Sequence, residues 1–363
     1  MRNFLVPIVI LFSLNTCEYV KSPEVSVYDK NVDFGLVSSD YYIGQHSNYE
    51  FGGRDSKCSE IYRQFDSLVD DTYFSKEYIG RASDGSEMFM YKLSPMRPIF
   101  SGSASNKRNK NMPKFIIVCG QHGFEKSSIY GTLYFIKDLC CNYKECSILK
   151  YFRQYVEFIL IPCANPHGIN NNQYLNYNGV NLNRNWPVDN WTSDSSQNPG
   201  DSYYCGAKPG DQLEVKNIIN VLNDNADALM VVDFHTNGMA NQSKGSLNWL
   251  SMSLPNDPYR DILIDIGYYH LCNISTAFEF MYPDEVGKED TLCGYMDGAD
   301  YFSTTGYLST YCAQHNFLSI TFEGFNGFPA EPITYSEKTK KANSELLGNY
   351  LNTVCWILST YNN

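Results

Sequence analysis

Lys114-Phe-Ile-Ile-Val-Cys-Gly120 is a short apolar run closed by a turn residue, and Gln121-His-Gly-Phe-Glu125 follows it without a break. A run of this length and composition suits a strand buried on both faces. Tyr155–Pro162 (YVEFILIP), Leu229–His235 (LMVVDFH) and Leu318–Gly324 (LSITFEG) repeat the type. Between them, Ser127–Leu139 carries Ile129, Leu133, Ile136 and Leu139 at helical spacing, and a last segment does the same with Leu346, Leu347, Tyr350, Leu351, Val354 and Leu358. Upstream, Ile61, Phe65 and Leu68 mark a helix within Ser56–Asp71, and Glu87–Ser94 (EMFMYKLS) alternates as a strand does. Buried strands alternating with amphipathic helices predict an α/β fold, a single-domain α/β/α sandwich around a mixed, largely parallel twisted sheet. No linker interrupts the pattern, so residues 51–363 are expected to form one domain.

The chemistry gathers at the ends of these strands. His122 and Glu125 are spaced i, i+3 in the first turn of a helix and can point the same way, toward one ion. His235 ends an apolar strand, where open α/β sheets place their ligands. Two histidines and one glutamate on zinc leave the fourth position to water, the arrangement of hydrolytic rather than structural zinc. Zn2+, one per chain, is therefore the expected cofactor. His235 satisfied by the backbone and Glu125 capping its helix would be the alternative without a metal. Glu323 closes the fourth apolar run, and a carboxylate there is costly unless it has a task.

The segment Asn165–Pro187, NPHGINNNQYLNYNGVNLNRNWP, resembles the zinc carboxypeptidases, whose pattern is NP-x-G followed by GV-x-LNRN-(W/F)-P. Ile79–Ser94 (IGRASDGSEMFMYKLS) is similar to that family's early strand pair, HGFE to its first ligand pair, HTNG to the segment with its last ligand, and SITFEGF to the strand bearing its catalytic glutamate. The resemblance implies a carboxypeptidase A-like catalytic domain with zinc on His122, Glu125 and His235 and with Glu323 as general base. It implies that Asn183 and Arg184 grip the C-terminal carboxylate of a peptide, which a planar guanidinium can do in two places. Hydrolysis of C-terminal residues from peptides or proteins follows as the expected activity, with peptide or protein C-termini as partners and a monomer as the expected state.

The sequence also departs from that family. Many relatives carry an arginine shortly before the GV-x-LNRN segment, yet Gly168–Asn183 contains neither Arg nor Lys, and Tyr174 stands about where it would be. Asn181 replaces the aspartate of GVDLN, and NPDG has become NPHG, which places His167 outside the zinc shell. Either Tyr174 or another donor substitutes, or catalysis is slower, or the substrate is not an ordinary peptide. A zinc amidohydrolase of the same fold, acting on a non-standard acyl or γ-glutamyl bond, and a zinc-retaining protein that binds C-termini without cutting them are the competing readings; retention of Glu323 argues against the second. In the loosely matching CGYMDGADYF segment, Ala299 would favour apolar side chains and Asp297 basic ones, with Tyr295 as the family's flexible tyrosine and Asp300 and Tyr301 as its Asp-aromatic end.

The remainder bounds the setting. Met1–Leu14 (MRNFLVPIVILFSL) reads as a secretory signal too short to span a bilayer, cleaved within residues 16–22, so that a short extension of residues 23–50 precedes the catalytic domain. Secretion or a lumenal location, and no membrane span, are expected. Of 12 cysteines, loss of Cys17 with the signal leaves eleven, which predicts several disulfides and one free thiol. Asn190, Asn241 and Asn273 lie in glycosylation sequons. Acidic residues outnumber basic ones 40 to 28, and the one basic cluster, Asn106–Lys110, lacks interleaved aromatics, so nucleic acid is excluded as a partner.

Overall fold

The computed structural model describes residues 32–38, 40, 42–43, 53, 55–96, 112–192, 198–236, 250–253, 257–267, 269–270, 295–297, 305–325 and 337–361, with side chains except in 250–253, 295–297, 337–338 and 361. The apolar runs become the middle of one sheet: β3 (Lys114–Cys119), β4 (Glu157–Ile161), β5 (Met230–Thr236) and β8 (Leu318–Gly324). β1 (Phe74–Arg81) and β2 (Glu87–Leu93) extend it on one side, β6 (Leu250–Ser253) and β7 (Tyr295–Asp297) on the other. The strand order is β1-β2-β4-β3-β5-β8-β6-β7. The four central strands are mutually parallel, and the joins to β2 and to β6 are antiparallel, so the sheet is mixed with a parallel centre.

Side chains alternate across a strand, and the two faces lead to two separate cores. Phe115, Ile117, Phe158, Leu160, Met230, Val232, Leu318, Ile320 and Phe322 join one cluster with α1 (Cys58–Asp66), α2 (Lys126–Cys141), α3 (Ser147–Tyr155), the helical residues 260–267 (α6) and α8 (Glu337–Tyr361). Ile116, Val118, Ile159, Ile161 and Val231 join the other with α5 (Leu213–Asp224) and α7 (Leu308–Gln314). The predicted sandwich is therefore present. Helix α2 differs in one respect from the one-faced helix its spacing predicts: Tyr130, Tyr134 and Phe135 are as buried as Ile129 and Leu133. Its second face lies against α8, so closely that a Cβ on Gly131 would stand 2.5 Å from Asn343 Cβ.

This alternation also sorts function from scaffold. Along β5 and β8 the residues facing away from α2 and α8 end in Asp233, His235, Thr321 and Glu323, and the register sets His235 directly beside Glu323. A slip of one residue would send both into the apolar core.

The expectation of several disulfides is not met among the described residues. Cys58, Cys119, Cys140, Cys141, Cys146, Cys163 and Cys355 are free thiols. Cys58, Cys119, Cys163 and Cys355 are buried in one core and Cys312 in the other, where they pack as small apolar side chains. Cys17, Cys272 and Cys293, the signal segment, the basic loop at 106–110 and the sequons at Asn241 and Asn273 lie outside the described residues.

Candidate active site

The site is assembled on the carboxyl ends of β3, β5 and β8. After β3 the chain turns at Gly120, whose φ of +72° an L side chain rarely adopts. Gly123 then passes so close to α4 (Pro166–Asn171) that a Cβ would stand 1.9 Å from the Gly168 carbonyl carbon. Asn165 locks the two segments together: its Oδ1 caps α4 by accepting from Gly168 N at 2.9 Å, and its Nδ2 donates to Gln121 O at 3.0 Å. The loop bearing His122 is thus held from behind by the NPHG segment.

Suitable ligand atoms of His122, Glu125 and His235, all buried, lie within 4.8 Å of one another. Glu125 bridges the histidines, Oε1 at 2.9 Å from His122 Nδ1 and Oε2 at 2.8 Å from His235 Nδ1. The far side of each ring fixes which nitrogen carries hydrogen. Asn181 must present Oδ1 to the Asn183 N–H (2.9 Å) and Nδ2 to the Ser202 carbonyl (3.0 Å), so the oxygen that faces His122 Nε2 at 3.2 Å is an acceptor. His235 Nε2 lies 2.9 Å from Asp233 Oδ1, also an acceptor. Both Nε2 atoms therefore donate, which leaves the two Nδ1 atoms, both facing Glu125, as the positions a metal could take. Two imidazoles and a carboxylate so prepared fit zinc, and the outer partners are those that orient metal-bound histidines.

Charge in this cluster is shared out by position. Burial opposes ionisation of Glu125, but the adjacent His122 and His235 outweigh it and hold the carboxyl down at about 2. Burial lowers His122. The same burial would lower His235, yet the carboxylates of Asp233 and Glu125 on either side of the ring raise it well above the ordinary value. A cation bound at Nδ1 displaces that proton.

Asp233 was not singled out by its sequence, and the structure makes it the hub of the site. It is fully buried and accepts from Gln121 Nε2 at 2.6 Å and from Asn183 Nδ2 at 2.9 Å besides facing His235. Gln121 in turn accepts from Trp186 Nε1 at 3.0 Å. A charged residue inside the apolar run LMVVDFH, two positions before His235 and therefore on its face, was the available signal. Asn183 completes the hub: its Oδ1 accepts from Leu308 N at 2.9 Å, so both ends of its amide are engaged with the protein.

Glu323 is partly exposed, yet its Oε2 is buried without a hydrogen-bond partner among the described residues. Burial, with the Glu125 and Asp233 carboxylates adding and His235 opposing, pushes it up to about 8. Asn343 of α8 holds the strand just beyond it, accepting from Phe325 N at 2.7 Å and donating to Phe325 O at 2.8 Å. Arg184, in the 3-10 turn Leu182–Arg184, places its guanidinium 4.1 Å from the Tyr307 ring centroid, while its Nε is buried without a partner among the described residues. Tyr174 stacks on His122 with centroids 3.9 Å apart and 21° between the planes. His167 lies away from the cluster as expected, 3.9 Å from Asp84. The side chains of Tyr295 and Asp297, and Ala299, Asp300 and Tyr301 altogether, are outside what the structure describes.

Comparison with known proteins bears on the same residues. The sequence pattern of the zinc carboxypeptidase family, Peptidase_M14, matches residues 45–242, more than half of the chain, which takes in His122, Glu125 and His235 but ends before Glu323. Carboxypeptidase A4 of Mus musculus is 24% identical over 190 residues, 48% of this chain and 43% of that protein. Carboxypeptidase A6 of Homo sapiens is 26% identical over 158 residues, 40% and 33% respectively. The chain thus spans less than half the length of these curated relatives. Among solved structures, bovine thrombin-activatable fibrinolysis inhibitor superposes with a TM-score of 0.63 at 17% identity, covering 84% of this chain and 97% of its own. Carboxypeptidase A of Helicoverpa armigera gives 0.61 at 17% identity, covering 83% and 74%. At such identities the structural likenesses establish the fold.

Proposed function

The chain belongs to the zinc carboxypeptidase family, and from that membership we propose that it is a zinc-dependent exopeptidase that removes C-terminal residues from peptides or proteins. The observation that carries the reading is the register of β5 and β8, which sets Glu323, its Oε2 buried and without a partner among the described residues, beside His235. His122 Nδ1, Glu125 and His235 Nδ1 would hold one zinc per chain, which when bound polarises a carbonyl and lowers the pKa of water to about 7.

The chain's own groups perform the rest. Glu323 takes a proton from the attacking water and returns it to the departing amide nitrogen. Its high affinity for a proton in this setting serves the second transfer, and neutralisation of Glu125 by a cation lowers it toward the range a base needs. Arg184 receives the substrate's C-terminal carboxylate, since its Nε has no acceptor and its plane is already braced against Tyr307. Asn183 steadies that turn through Asp233 and Leu308 N and is available to the carboxylate only if its amide turns from those partners. The apolar Met1–Leu14 stretch supports export to a secreted or lumenal location, and the continuous motif pattern supports one catalytic domain acting as a monomer.

The absence of Arg and Lys from Gly168–Asn183 favours a second reading, a zinc amidohydrolase acting on a non-standard acyl or γ-glutamyl bond. One experiment separates the two. Zinc-loaded protein is incubated with peptides bearing free or amidated C-termini, and product masses are read. Stepwise loss of C-terminal residues from the free peptides alone is expected; equal cleavage of both, or of neither, removes the exopeptidase reading.

A further inference from the structure

Tyr174 and Asn181 depart from the family pattern at two positions seven residues apart, and the structure joins them. Asn181 Nδ2 donates to the Tyr174 hydroxyl at 3.3 Å. The direction of that bond is set elsewhere, because Asn183 N–H and Ser202 C=O fix which end of the amide is oxygen. The phenol oxygen is therefore an acceptor toward Asn181, and its own proton must point another way. Among the described residues nothing takes that proton. The ring lies flat on His122, so the hydroxyl is carried at the rim of the ligand cluster, where the charges of Glu125, Arg184 and Glu323 all act on it.

We propose that Tyr174 is a catalytic hydrogen-bond donor to the scissile carbonyl oxygen, and that Asn181 aims it. The proposal deepens the exopeptidase reading and rests on it. As water adds to the carbonyl carbon, the π electron pair moves onto oxygen, and the Tyr174 O–H meets that growing charge without itself being transferred. A carboxylate at position 181 would defeat the device, because it has no hydrogen to give and would draw the phenol proton to itself. The exchange of aspartate for Asn181 and of a cation for Tyr174 are then one adaptation, since the amide faces His122 with its oxygen and Tyr174 with its nitrogen.

Tyr174→Phe tests this, because it keeps the ring on His122 and removes only the hydroxyl. With zinc content unchanged and KM held, kcat should fall by about 10²–10³-fold, the usual loss for one oxyanion donor. Affinity for a peptide phosphonate with a free C-terminus, which mimics the tetrahedral state, should fall by the same factor, and affinity for the ordinary product peptide should not. Asn181→Asp should lower kcat in the wild-type background and do so by a smaller factor beside Tyr174→Phe, the remainder being its effect on His122 and on the Ser202 carbonyl. A kcat within about threefold of wild type, or an equal loss of phosphonate and product affinity, overturns the proposal. If the wild-type protein cleaves no peptide, the proposed function fails separately, and the phosphonate arm still decides: equal affinity in both proteins, or none in either, overturns the role of the hydroxyl.

Discussion

A single carboxylate can serve a metal site without touching the metal, and Asp233, facing His235 Nε2, is placed to do so under the proposed function. Asp233→Asn preserves volume but replaces a charged acceptor by an amide, so the ring loses its orientation and part of its basicity. Zinc should dissociate about 10–100-fold more readily, as read by chelator competition on the intact protein; wild-type affinity would show that Asp233 merely packs. Glu323→Gln separates chemistry from scaffold in the opposite sense. Zinc should remain bound at full stoichiometry while kcat drops by about 10²–10⁴-fold, and unchanged turnover would mean the base is another group. The candidate ligands and Glu323 stood out in the sequence because His235 and Glu323 lie at the ends of apolar runs and His122 and Glu125 follow directly on one. Asp233 did not, because its three partners, Gln121, Asn183 and His235, come from three segments, two of them distant in sequence.

Elements place these residues by close approach as much as by hydrogen bonds. The loop after β3 can reach its position only because position 123 has no side chain, given the 1.9 Å separation a Cβ there would have from the Gly168 carbonyl carbon. Gly123→Ala must push that loop off α4 and carry His122 and Glu125 with it. A loss of about 3 kcal/mol in unfolding free energy is expected, together with weaker zinc binding at temperatures where the variant remains folded. Chemical denaturation and zinc titration measure the two effects independently. The sequence contained this glycine inside HGFE, but its reason is the backbone of α4, more than forty positions onward. Helix α2 teaches the same: its apolar face was readable, whereas its burial on a second face follows from α8 lying across it.

For the whole molecule, His270 ties stability to pH. Burial lowers it to about 3 from an ordinary 6.5, so the folded chain refuses a proton that the unfolded chain accepts. The unfolded state binds more protons below pH 6.5, and stability must therefore rise with pH through that window. The expected decline is up to about 1.4 kcal/mol per unit as pH falls from 6.5 toward 3. His270→Phe should flatten this branch relative to wild type in denaturant melts at several pH values; parallel curves would remove His270 as the cause. The free cysteines give a second global test. Thiol titration in denaturant without reductant should find at least seven per chain. In the native protein the exposed Cys141 should react first, since burial pushes Cys119 and Cys355 up to about 12. A count well below seven would restore the disulfide framework that cysteine number alone suggests.

Local pattern was enough to name the α/β class, the four central strands and the helices between them, because periodicity and strand ends are properties of contiguous residues. The order of the strands was beyond it, as was the register that puts His235 beside Glu323. So were the free state of seven thiols and the Asn181–Tyr174 bond that turns a phenol proton outward. Each of these depends on which surfaces meet when separate segments are brought together, and hydrogen-bond direction in a buried cluster is set by all of its members at once.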